Sequence, residues 1–332
     1  MITISRCPYR ISLLGGGSDL DWFVKNNNSG ICLGYSLSKY TYTVINKLPS
    51  RAKRGILNYS SREEYSNVDE IAHPLIRLAL EEINFSELLE ISSFGFASRG
   101  SGLGGSSSFL LALLKGLSKM KNANLSNFDL AYLASNIEIN KLKKPIGRQD
   151  HFISSTGSIS CFKFVDDNNT VEKITLNNSK KLFLKNLTEK LYLIPSFVSR
   201  SADKVLYKLK DSSTANYELL EIRKIAEKFI NSYENREYVI EETFNSCVRE
   251  SWEIKKNMSG VMTGVLNDQY NQLNKLPLNW IRLLGAGSGG YFLISTKLDN
   301  KTTEEKLINL GMKDFFQASM SQSGLEIIHD YQ

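Results

Sequence analysis

The stretch that most limits how this chain can fold is Gly100-Ser101-Gly102-Leu103-Gly104-Gly105-Ser106-Ser107-Ser108. Ahead of it, residues 88–96 have the composition of a strand. Behind it, Phe109, Leu110, Leu113, Leu114, Leu117 and Met120 recur on one helical face. The order is strand, glycine loop, helix N-terminus. Glycine lets the backbone approach a ligand closely and adopt positive φ. The unpaired amides and positive dipole end of the helix favour an anion. Three serines add hydroxyls that can cap the helix, hold a phosphate oxygen or ligate a metal. The stretch reads as a phosphate cradle.

What is missing narrows the kind of cradle. A Walker loop ends in Gly-Lys-Ser/Thr, and no lysine follows here until Lys115. Gly100-x-Gly102-x-x-Gly105 satisfies the dinucleotide pattern. That pattern also wants an acid on a second strand, yet Met120-Lys121-Asn122-Ala123-Asn124 offers neither. Gly285-x-Gly287-x-x-Gly290 matches too, but runs into Tyr291-Phe292-Leu293-Ile294-Ser295, a strand where a helix is required. Both matches fail as Rossmann sites.

A length of 332 residues suggests two domains. Ile2–Leu14 alternates as a strand and ends in Gly15-Gly16-Gly17-Ser18-Asp19, a close-approach loop. One or two further strands are expected over 31–48, and one each over 158–165, 171–176 and 190–195, with polar turns between the last three. Helices are expected over 68–83, after the cradle, from the capping box at Ser126 to about Asn140, and over 201–209, 215–233, 236–256 and 302–310. Residues 280–284 and 291–296 flank the second glycine loop as a hairpin-like pair, and strands at 315–320 and 325–328 close the chain. This mixed order predicts an α+β fold with a first domain over 1–190 and a second over 191–332.

The net charge of +6 suits an acidic small molecule and is too diffuse to argue for nucleic acid. Cys7, Cys32, Cys161 and Cys247 are scattered without a Cys-x-x-Cys, so buried free thiols in a reducing compartment are expected. The amino terminus goes straight into Ile2-Thr3-Ile4, so no signal peptide is expected. No run approaches about 18 apolar residues, so no membrane partner is expected, and the cytoplasm follows by default.

Two charged sites stand out. Arg10 and Asp19 flank the triple glycine; they either bridge the turn or face a ligand, Asp19 accepting from hydroxyls and Arg10 meeting an anion. Pro145-Ile146-Gly147-Arg148-Gln149-Asp150-His151 follows a helix that carries Glu138. Asp150 there is a helix cap or a general base, the latter requiring a hydroxyl within hydrogen-bond reach. The neighbours of His151, Phe152 and Ile153, suggest a packed ring.

Together these loops resemble the GHMP sugar kinases. Cys7-Pro8-Tyr9-Arg10-Ile11-Ser12-Leu13-Leu14-Gly15-Gly16-Gly17-Ser18-Asp19-Leu20 looks like the first motif, in the form of the D-glycero-D-manno-heptose 7-phosphate kinase branch. Residues 100–108 look like the second motif, and Gly285-Ala286-Gly287-Ser288-Gly289-Gly290 like the third. Gly147-Arg148-Gln149-Asp150-His151 is similar to that branch's Gly-Lys-Gln-Asp-Gln, with His151 in place of a glutamine and Ser18 in place of a threonine. Ser199-Arg200-Ser201-Ala202 and Ser251-Trp252-Glu253-Ile254-Lys255-Lys256 echo its carboxy-terminal half.

The resemblance implies a ribosomal-S5-type amino-terminal domain and a ferredoxin-like carboxy-terminal one. It implies ATP over Gly100, Ser101, Gly102, Leu103, Gly104, Gly105, Ser106 and Ser107, and Mg²⁺ on Ser106 and Glu138. It makes Asp150 the catalytic aspartate with Arg10 beside it. Asp19, Gly16, Gly17, Ser18, Arg200 and Gly287 then fall at the acceptor. The implied reaction is phosphorylation of a sugar's anomeric hydroxyl, the sugar being a heptose 7-phosphate whose far phosphate needs a cation. Lys141, Lys143, Lys144, Arg148, Arg200 and Lys255 are the candidates for it. A kinase for an unphosphorylated sugar such as fucose or galactose is the near alternative, and a silent sugar- and ATP-binding regulator the more distant one. A homodimer is the candidate assembly.

Overall fold

The computed structural model describes residues 1–97, 100–123, 125–198 and 202–331. β1 (Ile2–Leu14) passes through the triple glycine into α1 (Asp21–Asn27) and returns as β2 (Ser29–Lys47). The hairpin β3 (Gly55–Asn58) and β4 (Arg62–Tyr65) and then α2 (Pro74–Glu82) precede β5 (Leu89–Gly95). Next come α3 (Gly105–Met120), α4 (Asn127–Asn136), a π-helical turn at Ile137–Lys141, α5 (Gln149–Thr156), β6 (Ile159–Val165), β7 (Val171–Ile174) and α6 (Asn178–Thr188). β8 (Leu191–Pro195) is followed by α7 (Ala202–Lys210), α8 (Ala215–Asn231), α9 (Glu237–Asn257) and α10 (Gly264–Leu273). β9 (Leu278–Leu283), β10 (Tyr291–Thr296), α11 (Asn300–Asn309), β11 (Phe316–Gln317) and β12 (Glu326–Tyr331) complete the chain.

The first sheet is built on β2. One edge of this 19-residue strand pairs with β1; the other pairs with β6 over its first half and with β5 over its second. β12 returns from the far end of the sequence to pair with β1 at Ile2–Arg6, so the last strand belongs to the first sheet. Pro8, which lacks an N–H, sits two residues past Arg6, the last residue of β1 that pairs with β12. Among the described residues the strand pairings are antiparallel except that of β3 with β5. The second sheet has the order β11-β8-β10-β9. Its strands and helices run βαββαβ, the ferredoxin-like arrangement.

α3 is the central helix. Leu110, Leu111, Leu113, Leu114 and Leu117 are all fully buried against the first sheet and its helices. Burying such a side chain contributes about 1.5–3 kcal/mol, so α3 is fixed firmly and its N-terminus with it. Beyond the glycine turn, Tyr9, Ile11 and Leu13 of β1 pack in one cluster with Leu191, Leu193 and Leu293 of the second sheet. The two sheets thus share a core, and the glycine loops gather where they meet.

Local departures have local causes. The helix expected over 68–83 is interrupted: a 3₁₀ turn at Val68–Glu70 is followed by α2 with Pro74 in its first turn. Of the one or two strands expected over 31–48, the structure has one continuous strand, β2, ending at Lys47. Part of what was expected as turns is α6, whose Lys180 is buried and donates to the carbonyl of Ile230 (2.9 Å) at the end of α8.

Candidate active site

A cavity of about 490 Å³ lies at this junction, lined by all three glycine loops. Gly100, Gly102 and Gly104 have φ near +77°, a region costly for any side chain. A Cβ on Gly102 would lie 2.7 Å from the Leu284 carbonyl oxygen, and one on Gly290 would lie 2.6 Å from that of Ser101. The second and third loops therefore press backbone on backbone. Gly104 offers α3 no side-chain cap, and Gly105, Ser106 and Ser107 of its first turn line the cavity. A helix end left open in this way has the donors and dipole that suit an anion. Leu103 is the exception in the cradle: its side chain is fully buried, and its carbonyl accepts from the Arg10 amide (3.0 Å).

Arg10 ties the cradle to Asp150. Its Nε and Nη2 donate to the two oxygens of Asp150 (2.7 and 2.8 Å) and its Nη1 donates to the Gly102 carbonyl (2.6 Å). Bidentate, charge-assisted bonds of this kind fix orientation as well as distance. The Asp150 carboxylate consequently sits beside Gly104, whose Cβ position lies 3.3 Å from its Oδ2. It faces the cavity from the first turn of α5.

Glu138 is fully buried on the π-helical turn, yet it is met by four donors. Ser106 Oγ (2.5 Å) and Lys144 Nζ (2.6 Å) reach Oε1; Ser107 Oγ (2.8 Å) and His151 Nε2 (2.8 Å) reach Oε2. Burial alone would raise its pKa; the His151 and Lys144 contacts outweigh that and hold it below the ordinary carboxylate range. Mg²⁺ binds through one or two carboxylates plus nucleotide phosphates and water, not an all-protein cage. A carboxylate beside a hydroxyl fits that demand. Among the described residues no larger His, Cys, Asp and Glu cluster could hold a metal.

From the first glycine loop, Gly16, Gly17 and Asp19 line the cavity. Asp19 is already engaged: it accepts from the Gly17 amide (3.1 Å), the Gln149 amide (2.9 Å) and Gln149 Nε2 (2.8 Å). Burial raises its pKa, against those backbone bonds and with a contribution from Asp150. Two residues implied at the acceptor, Ser18 and Gly287, do not line the cavity. Ser18 is fully buried with its hydroxyl donating to the carbonyls of Gly15 (2.8 Å) and Ile31 (2.9 Å), so it fastens the loop from behind. Gly287 packs against Val261, while Gly285 and Ala286 form the wall. Arg200 lies outside the described residues.

Several lining groups were not singled out by sequence. Gln149 Oε1 and Ser12 Oγ are buried without a hydrogen-bond partner, and both converge on Gly16. The rings of Tyr59, His73 and Phe109, which also line the cavity, meet edge to face (4.6 and 5.5 Å between centroids) and make part of its wall aromatic. Among the candidate cations, Lys144 and Lys255 line the cavity. Lys141 pairs with Glu82, and Arg148 bonds Asn169 and Asp21. The four cysteines are free and buried, as expected, and burial pushes the Cys161 thiol up to about 12.

Residues 72–158, which carry the cradle, Glu138 and Asp150, match the GHMP kinases N terminal domain. The chain is 22% identical over 301 residues to D-glycero-alpha-D-manno-heptose 7-phosphate kinase of Campylobacter jejuni, covering 86% of this chain and 87% of that one. Its fold is shared with a D-glycero-D-manno-heptose 1-phosphate kinase from Bacteroides thetaiotaomicron (TM-score 0.78, 18% identity, 100% of both chains). It is shared also with Lactococcus lactis galactokinase bound to galactose (TM-score 0.70, 16% identity, 98% of this chain and 95% of that one). The segment that carries the cradle, Glu138 and Asp150 thus matches the GHMP kinase N-terminal domain, and the chain as a whole shares its fold with the sugar kinases named above.

Proposed function

We propose that this protein transfers the γ-phosphoryl group of ATP to the anomeric hydroxyl of a sugar, with a heptose 7-phosphate as the leading acceptor. One observation carries the reading: Arg10 clamps Asp150 with both oxygens accounted for, beside the helix end that would hold the triphosphate. The γ-phosphoryl group leaves ADP as the acceptor oxygen bonds to phosphorus. Asp150 accepts the hydrogen bond of that hydroxyl and takes its proton. Most of the protein's contribution is positioning and charge neutralisation, because the transition state is loose. The amides and hydroxyls at the start of α3 supply donors to the phosphate oxygens. A divalent cation on Glu138 and Ser106 would neutralise charge between the phosphates when bound. The aromatic part of the wall, Tyr59, His73 and Phe109, suits a planar base.

The acceptor's class is supported by Gln149 Oε1 and Ser12 Oγ. Buried polar atoms without partners are costly, and a polyhydroxylated ligand would satisfy both. Lys255, donating to the Gly285 carbonyl (2.6 Å) from the last turn of α9, is a cation within reach of a terminal phosphate. The second reading, an unphosphorylated acceptor, is favoured by Val205, Leu206, Leu209, Leu219 and Ile222, which make part of the wall apolar. ATP consumption measured across sugars with and without a terminal phosphate separates the two, with the product's new phosphate located by NMR. Turnover confined to terminally phosphorylated sugars supports the heptose 7-phosphate reading, and turnover of free sugars alone supports the second. Phosphate on any non-anomeric oxygen refutes both.

A further inference from the structure

Glu138 is divided between two tasks. Its Oε2 accepts from the buried His151 ring and from Ser107, and its Oε1 from Ser106 and the partly exposed Lys144, both of which line the cavity. Lys144 Nζ lies 2.6 Å from Oε1 and donates to Ser106 Oγ at 3.1 Å. These are the two oxygens that the reading above gives to the divalent cation. A dication on them and an ammonium on them compete for the same lone pairs and repel each other.

We propose that Lys144 is a tethered stand-in for the metal: its ammonium neutralises Glu138 until a metal–nucleotide complex arrives, then moves onto the nucleotide's phosphates. The inference rests on reading Glu138 and Ser106 as metal ligands. The local backbone fits such an exchange. Lys143 has φ +54°, which turns the chain back, and the Lys144 amide donates to the Glu138 carbonyl (3.0 Å). That bond anchors the main chain beside the carboxylate while the four-carbon stem remains free to swing. The side chain of Lys144 is 23% exposed and lines the cavity, whereas Glu138 is fully enclosed, so the cation is the partner able to leave. A lysine ammonium binds phosphate as a point charge and suits a site that it must reach from more than one direction. The consequence is an order of binding: the nucleotide-free protein resists the metal, and the metal enters with ATP.

The test uses the full chain and Mn²⁺ as probe, with free Mn²⁺ read by electron paramagnetic resonance. Without nucleotide, Lys144→Met and Lys144→Gln should each bind Mn²⁺ about tenfold or more tightly than the wild type, the scale set by one lost charge-assisted bond. In EDTA, the same variants should bind ATP about tenfold more weakly, because the ammonium no longer reaches the phosphates. Glu138→Gln, checked for folding by circular dichroism, tests the underlying reading through ATP-dependent Mn²⁺ uptake. If uptake is lost in Glu138→Gln while both lysine variants titrate like the wild type, the stand-in role is refuted and the metal site stands. If uptake survives in Glu138→Gln, the metal reading fails and the proposal falls with it.

Discussion

Replacing Asp150 with asparagine removes the charge from the carboxylate that Arg10 clamps and leaves the cradle in place. Asparagine can accept one bond from Arg10, but its amide NH₂ then points at a second donor. Arg10 is 5% exposed, so the mismatch is not solvated away. Removing one partner of a fully buried pair costs about 3–5 kcal/mol. The Asp150 side chain is 25% exposed and Arg10 retains the Gly102 carbonyl, so about 1–3 kcal/mol is expected here. Catalysis should suffer more. Loss of a general base costs about 10²–10⁴-fold in rate. On the proposed reading, ATP contacts belong to the cradle and the first turn of α3, so the ATP dissociation constant should stay within about threefold (under about 1 kcal/mol). The assay combines coupled ADP release at saturating acceptor with calorimetric ATP titration and a thermal melt. Near-wild-type kcat would remove Asp150 from the chemistry. A loss of ATP affinity matching the loss of kcat would show that the Arg10–Asp150 clamp serves the cradle's shape instead.

Two further outcomes follow from the same geometry. Gly102→Ala forces a Cβ to 2.7 Å from the Leu284 oxygen at φ +77°, so it should lower stability by about 1–3 kcal/mol and weaken ATP binding, read by urea melts and ATP titration. Glu138 titrates below its unfolded range, so its contribution to stability is fully present above about pH 4.3 and drains away as the pH falls toward its folded value. Urea midpoints between pH 3 and pH 7, on the order of that window, should therefore drop more steeply at the acid end for the wild type than for Glu138→Gln, and equal slopes would refute the assignment.

The fold was legible wherever periodicity and turn chemistry agreed. β1 spans the expected Ile2–Leu14, and the Ser126 capping box starts α4 through Asp129. What escaped was contact across the chain. α6 looks like polar turns because its buried Lys180 reads as a surface residue until the end of α8 supplies carbonyls for it. His151 was read as a packed ring, and it is; its bond to Glu138 depends on the π-helical turn, which changes the direction in which Glu138 points. Ser18 resembles a ligand contact in sequence because its neighbours Gly17 and Asp19 line the cavity. Only the neighbouring strand, whose Ile31 carbonyl takes the hydroxyl, turns it inward. The orphaned Gln149 oxygen carries no sequence signal beyond its place beside Asp150.

The most direct measurement is a crystal structure of the protein with Mg²⁺, a non-hydrolysable ATP analogue and the sugar selected by the substrate panel. The account predicts the triphosphate over residues 100–107, with the sugar's reactive oxygen about 3–3.5 Å from the terminal phosphorus and within about 2.6–3.2 Å of an Asp150 oxygen. Nucleotide bound away from the cradle, or a reactive oxygen beyond hydrogen-bond reach of Asp150, would contradict it.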